Sequence, residues 1–296
     1  MLKHLHKNPV SPSRVVILGA GGFVSSAAQR RIEDMGIPVL ALTQVDIDLT
    51  NPDAGSKLAG ILKTEDSVFF VAAKAPVKTD AMLIENLKMA ESVCFALKQI
   101  PVNHVVYISS DAVYADSNSP LTESSCAQPG SLHGVMHLAR EVMLSNAYSG
   151  PLCFLRPTLI YGQDDPHNGY GPNRFLRLAE KGEEIVLFGE GEEQRDHVWI
   201  EDVAEIVCRI LQHRSIGILN LATGQVYSFL EVAEMVVSLS TKGSKIKVTP
   251  RIGAMPHNGF RPFNSRSTTL AFPDFHYKLL PEGLRELTSG LINLAP

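Results

Sequence analysis

The chain is poor in the features that mark most specialised classes. Its 296 residues include only four cysteines. Cys94, Cys126, Cys153 and Cys208 are far apart and form no CxxC pair, which argues against a disulfide framework or a zinc site and for a reducing compartment. No metal site is expected. Net charge is −4, and no basic stripe interleaves with aromatics, so nucleic-acid binding is not expected. No apolar run is long enough to span a bilayer, so no membrane partner is expected. Residues 1–13 are basic, and the apolar run that follows breaks at glycine after four residues, too short for a signal-peptide core. A cytoplasmic protein is the resulting expectation. His4 and His6 read as part of a frayed terminal arm rather than as metal ligands. Internal repeats and low-complexity tracts are also missing. The length allows one large domain or two unequal ones.

What is present begins at Val15. Val15-Val16-Ile17-Leu18 is a short branched apolar run. Gly19-Ala20-Gly21-Gly22 follows, and then a segment of helical periodicity to Met35. In the order strand, tight turn, helix, such glycines let backbone N–H groups and a helix N-terminus approach a phosphate. The stretch reads as a dinucleotide pyrophosphate site or as an ordinary Gly-rich turn. Pro38–Leu42 is a second buried strand. An acidic residue that would hold adenosine ribose hydroxyls is expected at its end, but Thr43 and Gln44 stand there. No arginine is present for a 2′-phosphate, so NAD and NADP stay open. Asp48, with Leu49 beside it, reads as a contact to the adenine end or as a turn and helix cap, with Asn51-Pro52 starting a helix. Ser67–Ala73 is a third buried strand whose small last residues would let a ligand lie close. Lys74 faces a phosphate or sugar, or is a solvated loop lysine.

Asp80–Gln99 is a long helix with a polar Asn86. His104–Ile108 is a strand ending in Ser109-Ser110-Asp111, Ser117–Gly130 a loop, Leu132–Ala147 a helix and Leu152–Leu155 a strand. Strands and helices alternate, which implies an α/β fold with a doubly wound parallel sheet. Beyond Arg156 the chain becomes loop-rich, with short elements at Arg174–Lys181 and Ile185–Phe188 and helices at Asp202–Gln212, Phe229–Leu239 and Gly283–Leu294. Arg251–Pro273 is irregular. The expected division is a dinucleotide-binding domain over 13–162, to which 195–215 returns, and a smaller substrate-binding lobe over 163–296.

These pieces together resemble the extended short-chain dehydrogenase/reductases, the nucleotide-sugar epimerases, dehydratases and 4-keto-reductases. Gly19 to Val24 is similar to their glycine turn, with Ser25 where a third glycine packs helix on strand. Ser67–Ala73 resembles their strand ending in paired alanines, Asn86 matches a structural asparagine, and Tyr107–Tyr114 is similar to their catalytic Ser/Thr strand. Leu155-Arg156-Pro157 through Tyr161-Gly162 resembles the segment approaching the nicotinamide. Phe188–Gly191 with Arg195–Val198 and Asp202–Ala204 looks like the segment whose arginine holds the substrate diphosphate.

The resemblance implies a nicotinamide cofactor, with NAD favoured by the family, held by Gly19, Gly21, Gly22, Phe23, Val24, Asp48, Leu49, Ala72, Ala73, Lys74, His137 and Pro157. It also implies a nucleotide-sugar substrate and a homodimer formed through the two long helices. The family carries Tyr-x-x-x-Lys on its catalytic helix. Here His133 stands at the tyrosine position and His137 at the lysine position, their i, i+4 spacing putting both on one face toward Ser110. Ser110, His133 and His137 are therefore the candidate catalytic residues, His133 as acid/base. Asp111 follows the serine as in the dehydratase branch, but Ala112 replaces the next glutamate, which favours epimerisation or 4-keto reduction. Arg195, Arg261 and Arg174 are diphosphate candidates because a forked guanidinium suits phosphate oxygens; a surface ion pair is the other reading of each. The alternative to catalysis is a catalytically impaired protein that still binds NAD(P) or a sugar nucleotide.

Overall fold

The computed structural model describes residues 2–292. Six parallel strands form the central sheet: β1 (Val15–Leu18), β2 (Val39–Leu42), β3 (Ser67–Phe70), β4 (His104–Ile108), β5 (Leu152–Pro157) and β9 (Gly217–Leu221), in the order β2-β1-β3-β4-β5-β9. Their apolar runs are continuous because both faces are covered. Val15, Ile17, Phe69, Val106 and Leu155 point to a layer with α1 (Phe23–Asp34) and α6 (Ile200–His213). Val16, Leu18, Val68, Phe70, Val105 and Tyr107 point the other way, toward α2 (Ala54–Ile61), α3 (Asp80–Gln99) and α4 (Leu132–Ala147). This is the doubly wound arrangement expected. The strand order reverses between β1 and β3, where open α/β sheets place ligands beyond the carboxyl ends of the strands.

Side-chain caps set two of the long helices. Thr79 Oγ1 accepts from Met82 N–H ahead of α3, and Ser131 Oγ accepts from Gly134 N–H ahead of α4. Helix α2 begins at Ala54 rather than at Asn51-Pro52, since residues 51–53 form a turn. Strand β3 ends at Phe70, and the N–H groups of Val71 and Ala72 still donate to Leu18 O at the end of β1 before the chain leaves the sheet.

The remaining elements build the smaller lobe. Strand β8 (Gln194–Trp199) pairs with β6 (Leu159–Tyr161), β10 (Val226–Ser228) and β12 (Phe260–Arg261). Strands β7 (Ile185–Phe188) and β11 (Ile246–Thr249) form a separate parallel pair. With α5 (Pro172–Lys181), α7 (Phe229–Leu239) and α9 (Leu280–Ile292) they enclose a second core around Phe175, Trp199, Phe229 and Leu284. Buried Trp199 ends β8 at the start of α6 and meets Tyr161 edge-on at 5.2 Å between ring centres. The returning segment reaches Leu221, since β9 belongs to the main sheet. The β8 part of 195–215 lies instead in the lobe's sheet. Helix α8 (Arg266–Ala271) is followed by Phe272 and Phe275, which pack into the first core. Helix α9 begins at Leu280, earlier than expected; its expected end at residues 293–294 lies outside the described residues.

The N-terminal arm is docked, not frayed. Lys3 bridges Ile216, and His4 Nδ1 lies 2.7 Å from Ser215 Oγ, the ring stacked against His213 and Phe272. The arm has no periodicity to read because its partners are 200 residues away. Among the described residues no cluster of metal-ligating side chains occurs, and no helix is long and apolar enough to cross a membrane. All four cysteines are free.

Candidate active site

A cleft of about 800 Å³ opens over the carboxyl ends of the central strands and under the smaller lobe. Its floor is the glycine turn. Gly19 has φ +96°, and a Cβ there would come within 2.5 Å of the Ala72 backbone, so only glycine lets the ends of β1 and β3 lie this close. Gly21 also has a positive φ, +83°. Ser25 does more than tolerate the position of a third glycine. It is fully buried; its hydroxyl accepts from Gly22 N–H at 2.9 Å and donates to Gly22 O at 3.1 Å, closing the first turn of α1. The leading N–H groups of α1, at Phe23 and Val24, have no helical carbonyl to meet and border the cleft. This cradle suits a pyrophosphate.

Beside it the wall is formed by Thr43, Gln44, Asp48, Leu49, Ala72, Ala73 and Lys74. Asp46 folds back on the end of β2, its Oδ2 accepting from the Thr43 N–H at 2.8 Å and the Thr43 hydroxyl at 2.7 Å. Asp48 accepts from the N–H and hydroxyl of Thr50, which lowers its pKa. Asp48 therefore closes a turn and borders the cleft, and it caps no helix, since α2 starts at Ala54 after Asp53. Lys74 also borders the cleft, and its ammonium is paired with Glu85 at 2.9 Å.

At the other end Ser110, Asp111, His133, His137 and Pro157 meet. Ser110 leaves β4 in extended conformation. Its Oγ accepts from Ala112 N–H at 3.1 Å and caps a single 3₁₀ turn over 111–113. Helix α4 docks on that turn through Gly134, where a Cβ would lie 2.0 Å from Ala112 O. The two histidine rings stand perpendicular, 4.7 Å apart. Burial lowers the pKa of His133, against the charge of Asp111, which raises it. His137 is deeper. Its Nδ1 shares a hydrogen bond with Tyr107 Oη at 2.8 Å, and burial, then His133, then the charge of Arg140 hold its pKa well below the ordinary value. Burial pushes Tyr107 up to about 12. Arg140 is itself fully buried. It donates to Asn86 O, Asn86 Oδ1 and Ala72 O, lies 5.0 Å from the Phe70 ring centre, and has no carboxylate in ion-pair contact among the described residues. One turn along α4, Glu141 takes Arg156 bidentately at 2.9 and 2.5 Å and accepts from Ser109, fixing the helix to β4 and β5.

The arginines divide three ways. Arg195 borders the cleft, 3.3 Å from Glu193 and 3.8 Å from Asp111. Arg261 lies beside it in register but is buried. It donates to Asp111 Oδ2 at 3.0 Å, Asp111 O at 2.6 Å and Asp116 at 2.9 Å, so it anchors Asp111 and is not part of the cleft lining. Arg174 is exposed on α5 and is not part of that lining either. Alternation on β8 puts His197 on the face of Arg195. Its ring borders the cleft, and burial lowers its pKa to about 3. This polar run carries no strand signal in the sequence, so which of its residues turn inward was not legible. Asn173, also on the wall, clasps both backbone groups of Gly162. His257, from the irregular 251–260 segment, reaches the same cleft with its Nδ1 on Asp116.

The sequence profile of the NAD dependent epimerase/dehydratase family matches residues 15–222. A dTDP-4-dehydro-6-deoxy-D-allose reductase of Streptomyces bikiniensis is 25% identical over 283 residues, spanning 80% of this chain and 84% of its own. A UDP-N-acetyl-alpha-D-glucosaminuronate decarboxylase of Bacillus cytotoxicus is 24% identical, spanning 86% of this chain and 88% of its own. Among solved structures, the Thermus thermophilus UDP-glucose 4-epimerase complex with NAD superimposes with a TM-score of 0.81 at 23% identity, over 95% of this chain and 100% of its own.

Proposed function

Because the chain belongs to the NAD dependent epimerase/dehydratase family, an enzyme family, we propose that it is a nucleotide-sugar epimerase or 4-keto-reductase working through an imidazole in place of the usual tyrosine. The observation that carries this reading is the convergence of Ser110, His133 and His137 at one end of a cleft whose other end is the glycine cradle. Relatives whose names specify dTDP- and UDP-sugars support a nucleotide-sugar substrate.

The cradle and the small residues Ala72 and Ala73 fit a dinucleotide, with Pro157 at its nicotinamide end. A dinucleotide held there would supply hydride exchange between its nicotinamide and a sugar carbon. The chain supplies the rest. Ser110 orients the reacting sugar oxygen. His133, held neutral by burial, takes or returns the proton of that oxygen, and the nearby Asp111 carboxylate steadies the imidazolium as it forms. His137 acts differently from a lysine. The Arg140 cation faces the Tyr107 oxygen, so the phenolic hydrogen is left to donate to His137 Nδ1. The remaining N–H, at Nε2, is then free to donate to a ribose hydroxyl. NAD is favoured over NADP because Asp48 borders the cleft beyond β2 and no arginine stands at Thr43 or Gln44 to take a 2′-phosphate. Exposed Ile84 and Phe95 on α3, with Val135 and Val142 on α4, support a homodimer through these helices.

The test is conversion of dTDP- and UDP-hexoses in the presence of NAD, and of their 4-keto forms in the presence of NADH, followed by chromatography. Ser110→Ala and His133→Phe are each expected to reduce turnover about 100-fold, as loss of an acid/base partner does. Dinucleotide binding without conversion of any sugar nucleotide would support the impaired, binding-only protein.

A further inference from the structure

His197 differs from the other buried histidines. His104 Nε2 meets Ser215 O, and His137 Nδ1 meets Tyr107. His197 is 1% exposed, and neither of its ring nitrogens has a hydrogen-bond partner among the described residues. An imidazole buried in this way forfeits its hydrogen bonds to water and regains none within the chain. The ring is held firmly nonetheless. Tyr161 and Phe229 both meet it edge-on, with ring centres 6.5 and 6.0 Å away, and a Cβ on Gly171 would touch Nε2 at 3.8 Å, a contact that glycine leaves unmade.

Its place is equally specific. His197 borders the cleft two residues after Arg195 on the same face of β8. Opposite it in register on β6 is Leu159, two residues beyond Pro157, so it lies toward the reacting end. A neutral imidazole offers one donor and one acceptor. Either nitrogen suits a hydroxyl, which can take a hydrogen bond from the donor or give one to the acceptor. A phosphate, which only accepts, suits Arg195 better.

We propose that His197 is a specificity-determining residue that hydrogen-bonds a hydroxyl of the hexose, while Arg195 serves the diphosphate. This rests on the nucleotide-sugar reading above and adds the residue that recognises the sugar. Pairing with a hydroxyl satisfies one of the two ring nitrogens, and only when the sugar is seated, so discrimination against substrates lacking that hydroxyl follows from the same burial.

Calorimetric titration tests it. Wild type is titrated with UDP, dTDP and GDP, and with UDP-glucose, dTDP-glucose and GDP-mannose. His197→Phe keeps the aromatic packing and removes both nitrogens; His197→Leu repeats the test at smaller volume; His197→Gln restores a donor and an acceptor. For the conjugate that wild type binds best, His197→Phe is expected to weaken affinity about tenfold, leaving the parent nucleotide diphosphate unchanged, with His197→Gln in between. Equal weakening of conjugate and parent, or no weakening of either, overturns the assignment. A wild type that binds no conjugate more tightly than its parent refutes the nucleotide-sugar reading itself, before any variant is compared.

Discussion

At the scale of single residues, the surroundings of His137 show what a lysine at that position would meet. Arg140 already places a buried cation against Tyr107. A lysine at 137 would bring a second cation into the same dry layer, where the Glu141 carboxylate one turn along α4 is already taken by Arg156. His137→Lys is therefore expected to destabilise the fold by about 2 kcal/mol or more at pH 7. The buried ammonium would have a depressed pKa, so the unfolded chain would bind more protons and the penalty would shrink as pH rises toward 10. Urea unfolding at pH 7 and pH 10 measures this; a penalty independent of pH would show that packing, not charge, decides the site.

At the scale of elements, helix α4 carries both histidines, and its docking on the 111–113 turn sets their height above β4. Gly134 makes that docking possible, with Ala112 O where a Cβ would be. Gly134→Ala is expected to cost about 1–3 kcal/mol through overpacking, despite alanine's better helix propensity, and to reduce turnover by shifting His133 away from Ser110. Thermal melts and initial rates on the same preparation check both. The sequence made such elements readable where pattern and position agreed. Val15–Leu18 and Ser67–Phe70 are continuous apolar runs because helices cover both faces, and α3 and α4 begin at Thr79 and Ser131 caps. Strand β8 was opaque for the opposite reason. Gln194, Arg195, Asp196 and His197 are polar yet turned inward, and the strand's partners β6, β10 and β12 come from distant parts of the chain. Arg261 misled for the same reason. Only the fold shows that it is spent on Asp111 and Asp116, while Arg195, its neighbour in register, faces the cleft.

At the scale of the whole molecule, the buried titratable groups set a pH response. Burial lowers His104 to about 4 and His197 to about 3, and also lowers His133 and His137. Unfolded histidine titrates near 6.5, so below that pH the unfolded chain binds protons that the folded chain refuses. Asp196 and Asp202, raised by burial to about 6, act in the other direction, taking up protons in the folded state between about 3.8 and 6. Two carboxyls only partly offset four imidazoles. The unfolding midpoint in urea is expected to fall steadily from pH 7 to pH 5, and a midpoint that rises over that interval would contradict the burial of these rings.

Trp199 gives the molecule an optical property of its own. It is the only tryptophan in the chain, and its indole lies at the end of β8, against Tyr161 of the cleft wall and 5.1 Å from the Lys278 ammonium. One fluorophore thus sits where the two cores join, shielded from solvent. Excited beyond the absorption of the tyrosines, intrinsic emission from this protein comes from a single, known place, so a change in its colour or intensity reads the surroundings of β8 directly, without a dye or a label.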